Sequence, residues 1–352
     1  MRMEIYRKKN ISVDFHRGSN ENSTIIFTFT AFQFNNLDKI GFGVSFLVKN
    51  GYDVMSFKVD NDSWYQNVDD DLLEIASRLA SQYRQVITYG SSMGGFAAIL
   101  FSEILQADKV ISISPQFSIR LESDKRWAKQ ASIINWRREI DKSSISNTAQ
   151  YYFIYDHHHE LDRLQVEYLR SVISASDCLE IKIPFSGHPS GHLLADMKKL
   201  SPLILDLLQT GGGQIENLVP RLGATLKFWR SLLNLARLAR ATGRTRLAHM
   251  AYARLVHVAP RNEKCLREYA SFLEAEGLFE KALGKLQAMI DIDDTNAYLL
   301  NKAAELLRQL NRLDEAKRYC DRALVIEPGN QKFAAQKKAV EMMLNDGWAL
   351  RQ

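Results

Sequence analysis

Val86-Ile87-Thr88-Tyr89-Gly90-Ser91-Ser92-Met93-Gly94-Gly95 decides how the first half of this chain folds. A short β-branched and aromatic run leads straight into Gly-x-Ser-x-Gly, and Phe96-Ala97-Ala98-Ile99-Leu100 follows as a helix former. That order predicts a strand, a sharp turn and a helix. A serine on such a turn sits in a strained backbone conformation with its hydroxyl projecting from the top of a sheet. Glycines flank it because a Cβ there would collide with the crossing strand and helix. A plain βα turn with Ser92 as helix cap would use the same residue types.

On either side of this segment, strand-like and helix-like runs alternate, which predicts an α/β sheet. Glu4 to Tyr6 and Ile11 to Phe15 read as an opening antiparallel pair, and Thr24 to Phe29 as a buried strand. Further strands are expected at Asp53 to Phe57, Gln85 to Tyr89, Lys109 to Ile113, Tyr151 to Tyr155 and Leu179 to Ile183. Helices are expected over Phe42 to Lys49, over Asp69 to Tyr83, where apolar residues recur with helical period, and over Leu193 to Leu208. The stretch Gln116 to Ala149 is the one insertion large enough to cover a site.

Beyond Thr210-Gly211-Gly212-Gly213-Gln214 the strand-like runs stop. Asn262, Asn296 and Asn330 recur every 34 residues, as do Ala248, Ala282 and Ala316, Pro260, Asp294 and Pro328, and Gly243, Gly277 and Asn311. A 34-residue period of paired helices is the tetratricopeptide signature. Alanine is needed where two helices cross closely, Gly or Asn lets the chain turn, and Pro stops a helix. Three repeats are expected over Trp229 to Asn330, with Gln331 to Leu344 as a capping helix. Leu232, Leu266 and Leu300 stand where a large aromatic is often found. The expected organisation is therefore residues 1–209 as an α/β domain, 210–224 as a linker and 225–352 as an all-α repeat domain.

The length of 352 residues suits two domains, and a composition with 46% hydrophobic and 25% charged residues is that of an ordinary globular protein. No apolar run is long enough to span a bilayer, and the first nine residues lack the apolar core of a signal peptide. Cys178, Cys265 and Cys320 are scattered and odd in number, which argues against a disulfide framework and suggests a cytoplasmic protein. No Cys/His set has zinc spacing. His157-His158-His159 are neighbours that cannot all face one ion, so they read as a loop. The net charge of +5 is uneven: from Asn217 to Asn262 there is no acidic residue, while nine Lys and Arg lie there. Such a field suits an acidic partner, or is a solvated arginine-rich face. Gly90 to Gly95 lacks the Gly-Lys-Ser/Thr ending of a phosphate loop, and no aromatic-and-basic array points to nucleic acid.

The elbow at Ser92, the strand–helix alternation and the order of candidate residues along Ser12 to Leu208 resemble the α/β-hydrolase superfamily. The resemblance implies a mostly parallel sheet flanked by helices, with nucleophile, acid and histidine in that chain order. Ser92 is then the nucleophile and needs a base to take its proton. His188 and His192 compete for that role after the last strand. His188 is favoured because Gly-His directly follows the strand, and His192 is expected to open the closing helix. The acid is Asp156, slightly preferred at the strand end, or Asp162 at the start of the next helix, where it could equally be a helix cap. The oxyanion hole would use the backbone N–H of Met93 and that of Ala31 or Phe32. Trp64 and Tyr65 would wall the pocket, and Gln116 would touch substrate.

Two functions follow as expectations. One is a serine esterase, thioesterase or acyltransferase without cofactor or metal, acting on an acyl-bearing small molecule or tethered substrate, its repeats docking a protein partner. The other is a catalytically silent scaffold for protein–protein interaction.

Overall fold

A computed structural model describes residues 2–19 and 23–349. They fall into two compact units, residues 1–231 and 232–352.

The first unit is built on an eight-stranded sheet in the order β1-β2-β4-β3-β5-β6-β7-β8. The strands are β1 (Arg2–Lys8), β2 (Ile11–His16), β3 (Thr24–Phe29), β4 (Asp53–Val59), β5 (Gln85–Ser91), β6 (Lys109–Ile113), β7 (Gln150–Tyr155) and β8 (Cys178–Lys182). β2 runs antiparallel to β1 and β4, and β3 to β8 pair in parallel. Strands buried on both faces read as continuous apolar runs. Ile25, Phe27 and Phe29 of β3 enter one core layer with Phe57, Phe96, Phe101 and Phe153. Ile26 enters the other with Val54, Ile87, Ile111 and Ile154. Helices α1 (Val44–Lys49), α2 (Asp70–Ala80), α3 (Met93–Leu100), α4 (Ala128–Ile133) and α5 (Glu160–Arg170) intervene between strands or within the insertion.

The closing segment departs from the expected single helix over Leu193 to Leu208. It is two helices, α6 (Gly191–Asp196) and α7 (Leu200–Thr210). Pro202 explains the break: without an N–H it is tolerated in the first turn of α7, not in mid-helix. Lys198 takes a φ of 56° between the two.

The segment read as a linker is also folded. Gly211 caps α7 with a φ of 70°, and Asp206 accepts the Gln214 N–H. Two short helices, α8 (Ile215–Leu218) and α9 (Leu222–Thr225), follow. Ile215, Leu218, Val219 and Phe228 pack on the core layer formed with α6 and α7, so the first compact unit runs to Ser231.

The second unit continues through α10 (Trp229–Ala241), α11 (Thr245–Val258), α12 (Glu263–Ala275), α13 (Phe279–Ile290), α14 (Ala297–Gln309), α15 (Leu313–Ile326) and α16 (Gln331–Ala349). Each element of the 34-residue period has a physical task. Gly243, Gly277 and Asn311 take φ values of 67°, 71° and 57° between successive helices, the left-handed conformation that Gly and Asn tolerate. Asn262 and Asn296 cap α12 and α14 by accepting the N–H of Cys265 and Leu299. Ala248, Ala282 and Ala316 are fully buried. Ala282→Leu is therefore expected to overpack the crossing of α12 and α13 and to destabilise by about 1–3 kcal/mol, measurable as a lowered melting temperature. Cys265 and Cys320 are buried in this unit and, with Cys178, unpaired. Among the described residues no helix is long and apolar enough to cross a membrane.

Candidate active site

The chain visits β3, then β4 on one side of it, then β5 on the other, so a crevice opens at the carboxyl ends of β3 and β5. Open parallel sheets bind ligands at such a switch point. Ser92 stands there, at the end of β5, with φ 54° and ψ −117°. A non-glycine residue in this region is strained and is held only by its surroundings. Its N–H bonds the Ile113 carbonyl at 2.8 Å. The flanking glycines leave no alternative: a Cβ on Gly90 would lie 2.0 Å from the Gly94 carbonyl oxygen, and one on Gly94 2.3 Å from that of Phe29. Gly94→Ala is expected to drive the loop after β3 off the elbow and to destabilise by about 3 kcal/mol, measurable by denaturant unfolding.

Ser92 Oγ lies 2.7 Å from His188 Nε2. His188 sits in the loop after β8, and its Nδ1 lies 2.9 Å and 3.0 Å from the two carboxylate oxygens of Asp162. A carboxylate only accepts, so the ring proton belongs on Nδ1 and Nε2 is left to accept from the serine. Asp162 is 1% exposed. Burial alone would raise its carboxyl, but His188 and His159 outweigh that and hold it well below the usual carboxylate range.

The preference for Asp156 is corrected. Asp156 accepts the backbone N–H groups of His158, Phe185 and Gly187 at 3.0, 3.1 and 2.8 Å. Its carboxylate is occupied in fixing the loop that carries His188, and its burial raises it. Asp162 is not the helix cap: His159 caps α5, its Nδ1 taking the Asp162 N–H, which leaves the Asp162 side chain for His188. The His157 and His158 rings lie 4.0 Å apart and tilted, and His158 stacks on Phe185. His192 stands exposed on α6, apart from the Ser92–His188 hydrogen bond.

Met93 opens α3, so its N–H has no acceptor within the helix. Ala31 and Phe32 follow β3, whose last carbonyl already touches Gly94. A cavity of about 270 Å³ opens beside them, lined by Ala31, Phe32, Phe34, Ile40 and Phe42 among others.

The reading of Trp64, Tyr65 and Gln116 as pocket wall and substrate contact is corrected too, because all three are fully buried. Trp64 and Tyr65 have φ values of 47° and 59°. The Trp64 indole N–H donates to Gln116 Oε1 at 2.8 Å, and the Tyr65 hydroxyl donates to the Thr30 carbonyl at 2.8 Å. They brace the site from behind. A half-buried aromatic that the sequence does not announce is Trp127, from a 3-10 turn at Lys125–Trp127 in the insertion. Its ring centroid lies 4.9 Å from Phe32, 5.4 Å from Trp64 and 6.4 Å from His188.

In the second unit a separate cavity of about 360 Å³ is lined by Arg267, Glu274, Asn296, Tyr298 and Lys302 among others. Of the arginines in the acid-free stretch, Arg237 pairs with Glu268, while Arg240, Arg244, Arg246, Arg254 and Arg261 are exposed.

No family model matches the sequence, and no curated protein matches it. Solved structures that match include tetratricopeptide domains and proteins. The first tetratricopeptide domain of Spaghetti (RPAP3), bound to an HSP90 peptide, is 18% identical over 33% of this chain and 93% of that one, with a TM-score of 0.30. A tetratricopeptide repeat protein from Parabacteroides merdae is 18% identical over 44% of this chain and 58% of that one, with a TM-score of 0.32. The Sgt2 tetratricopeptide domain from Aspergillus fumigatus is 17% identical over 35% of this chain and 82% of that one, with a TM-score of 0.30.

Proposed function

We propose that the first unit is an α/β-hydrolase-type serine hydrolase acting on an ester or thioester, and that the helical unit docks a protein partner. The observation that carries the catalytic reading is the continuous hydrogen-bonded line from Ser92 Oγ through the His188 ring to Asp162. In this reading His188 Nε2 takes the Ser92 proton as Oγ attacks the acyl carbonyl. The negative oxygen of the tetrahedral intermediate accepts from the Met93 N–H and from that of Ala31 or Phe32. Asp162 stabilises the imidazolium without taking its proton. The intermediate expels the alcohol or thiol, which leaves with the proton from His188. Water then attacks the acyl-enzyme, giving its proton to His188, and the ester bond to Ser92 breaks to return the serine hydroxyl and release the acid. An acceptor alcohol or amine in place of water would make the same residues a transferase.

The cavity beside Ala31 and Phe32 is modest in volume and mostly apolar, with Thr30 and Gln33 in its lining; taken as the acyl site beside the proposed oxyanion donors, it favours a small or medium acyl group. A panel of p-nitrophenyl esters of increasing chain length tests this. The reading expects turnover that peaks at short to medium acyl length and vanishes in Ser92→Ala. No turnover of any ester or thioester by the folded protein would leave the silent scaffold as the function. The exposed arginines of α10 and α11 favour an acidic docking partner.

A further inference from the structure

The acid of the Ser92–His188–Asp162 line has a partner outside it. Arg126 Nη1 donates to Asp162 Oδ1 at 2.7 Å, on the same carboxylate that faces the His188 ring. Arg126 comes from the 3-10 turn in the insertion, 36 residues earlier in the chain. Its guanidinium is not free to swing. Nε and Nη2 grip Asp124 at 2.9 Å and 2.6 Å, and Asp124 is 1% exposed. Gln165, one turn beyond Asp162 on α5, donates to Asp124 at 3.0 Å and to the Ser118 carbonyl, and accepts from the Phe117 and Ser118 N–H groups. The insertion and α5 are thereby tied together around one guanidinium. Its neighbour Trp127 lies against His188 and Phe32.

We propose that Arg126 is a positioning residue for the reaction: the insertion plants one nitrogen of its fork on the carboxylate that aligns the imidazole, so that the insertion completes the catalytic line as well as covering it. This rests on the hydrolase reading above. A fork held on two carboxylates has little rotational freedom left, and it fixes the Asp162 plane that in turn fixes the ring. It also sets the charge that His188 meets. The groups facing the ring are Asp162 and His159 from α5, with Arg126 and Asp124 behind them. Asp156 lies under the same loop through the Gly187 N–H, and His192 stands on α6. One cation between two buried carboxylates halves their combined charge.

The test compares wild type with Arg126→Gln and Arg126→Lys in the full chain. One readout is the rate of fluorophosphonate labelling, with thermal melting as a check of folding. The other is the ¹⁵N signals of the His188 ring, which need no turnover. Arg126→Gln is expected to label about 100-fold more slowly near pH 8. Its ring ¹⁵N signals are also expected to move from the single Nδ1-protonated tautomer toward an average of the two neutral tautomers, because the Asp162 plane is no longer fixed. Arg126→Lys keeps the charge without the fork, and is expected to recover only part of the rate and part of the tautomer preference. If Arg126→Gln fails to fold, Arg126→Lys carries the test through that same split. Wild-type rates and ring signals in the folded variants overturn the proposal. If wild type itself is not labelled at Ser92, the hydrolase reading fails, and the ring signals alone then decide whether Arg126 governs the His188–Asp162 pair.

Discussion

Ser92→Ala is expected to lower ester turnover on the order of 10⁶-fold while leaving the unfolding free energy within about 1 kcal/mol of wild type. The two halves of this expectation have separate causes. The rate loss follows because no other hydroxyl stands 2.7 Å from His188 Nε2 among the described hydrogen bonds, and what remains is binding and the oxyanion donors. The small stability change follows because the fold at this point is held by other atoms. The Ser92 N–H still bonds Ile113, the Ser92 carbonyl still takes the Phe96 N–H, and the crossing at Gly90 and Gly94 is untouched. His188→Ala should fall to a similar rate, because nucleophile and base act as one unit and their losses do not add. Steady-state turnover together with denaturant unfolding measures both.

The second large effect separates the two acids. Asp162→Asn should cost about 10⁴-fold in turnover. An amide can present its N–H₂ to the ring, which selects the tautomer whose Nε2 carries the proton and cannot accept from Ser92. It also leaves Arg126 facing a neutral group. Asp156→Asn should do the opposite. Its carboxylate serves three backbone N–H groups, and placing an amide there leaves at least one buried donor unmatched. The expected loss is about 1–3 kcal/mol of stability, with a much smaller fall in rate. Melting curves and turnover measured on the same two variants give a crossed pattern. A large rate loss in Asp156→Asn with none in Asp162→Asn would reverse the assignment.

The confusion between these acids shows where sequence reading stopped. Asp156 sits where a strand ends and Asp162 three residues into a helix, a position whose ordinary use is electrostatic support of the helix terminus. Which carboxylate meets the imidazole depends on His159 taking the cap and on two N–H groups, of Phe185 and Gly187, from a loop far along the chain joining that of His158 on Asp156. Nothing local in the sequence encodes that convergence. Arg126 and Trp127 were missed for the same reason. They reach the site through the path of the insertion, and their neighbours in sequence carry no period or motif. By contrast the Ser92 turn was legible because its glycines answer to contacts within a few residues and one crossing strand. The 34-residue period was legible because each marked position does a local job: an Asn cap, a left-handed Gly, a small Ala at a crossing.

The closing helix and the linker failed differently. Leu193 to Leu208 has the apolar spacing of one helix, and Pro202 was the signal that a new first turn must begin near it. The three glycines after Thr210 suggest a linker. Gly211 instead ends α7, and Ile215, Leu218 and Val219 carry the chain back onto apolar surface. A run of glycines reports backbone freedom, while the apolar residues after it decide whether that freedom is used.

The proposed chemistry requires the oxygen at residue 92 to be a nucleophile made competent by His188. Treating the folded wild-type chain with a fluorophosphonate and mapping the adduct by peptide mass spectrometry tests it most directly. A single stoichiometric adduct on Ser92, absent in His188→Ala, is expected. Folded wild-type protein that takes up no label, or takes it up elsewhere with Ser92 unmodified, would contradict it.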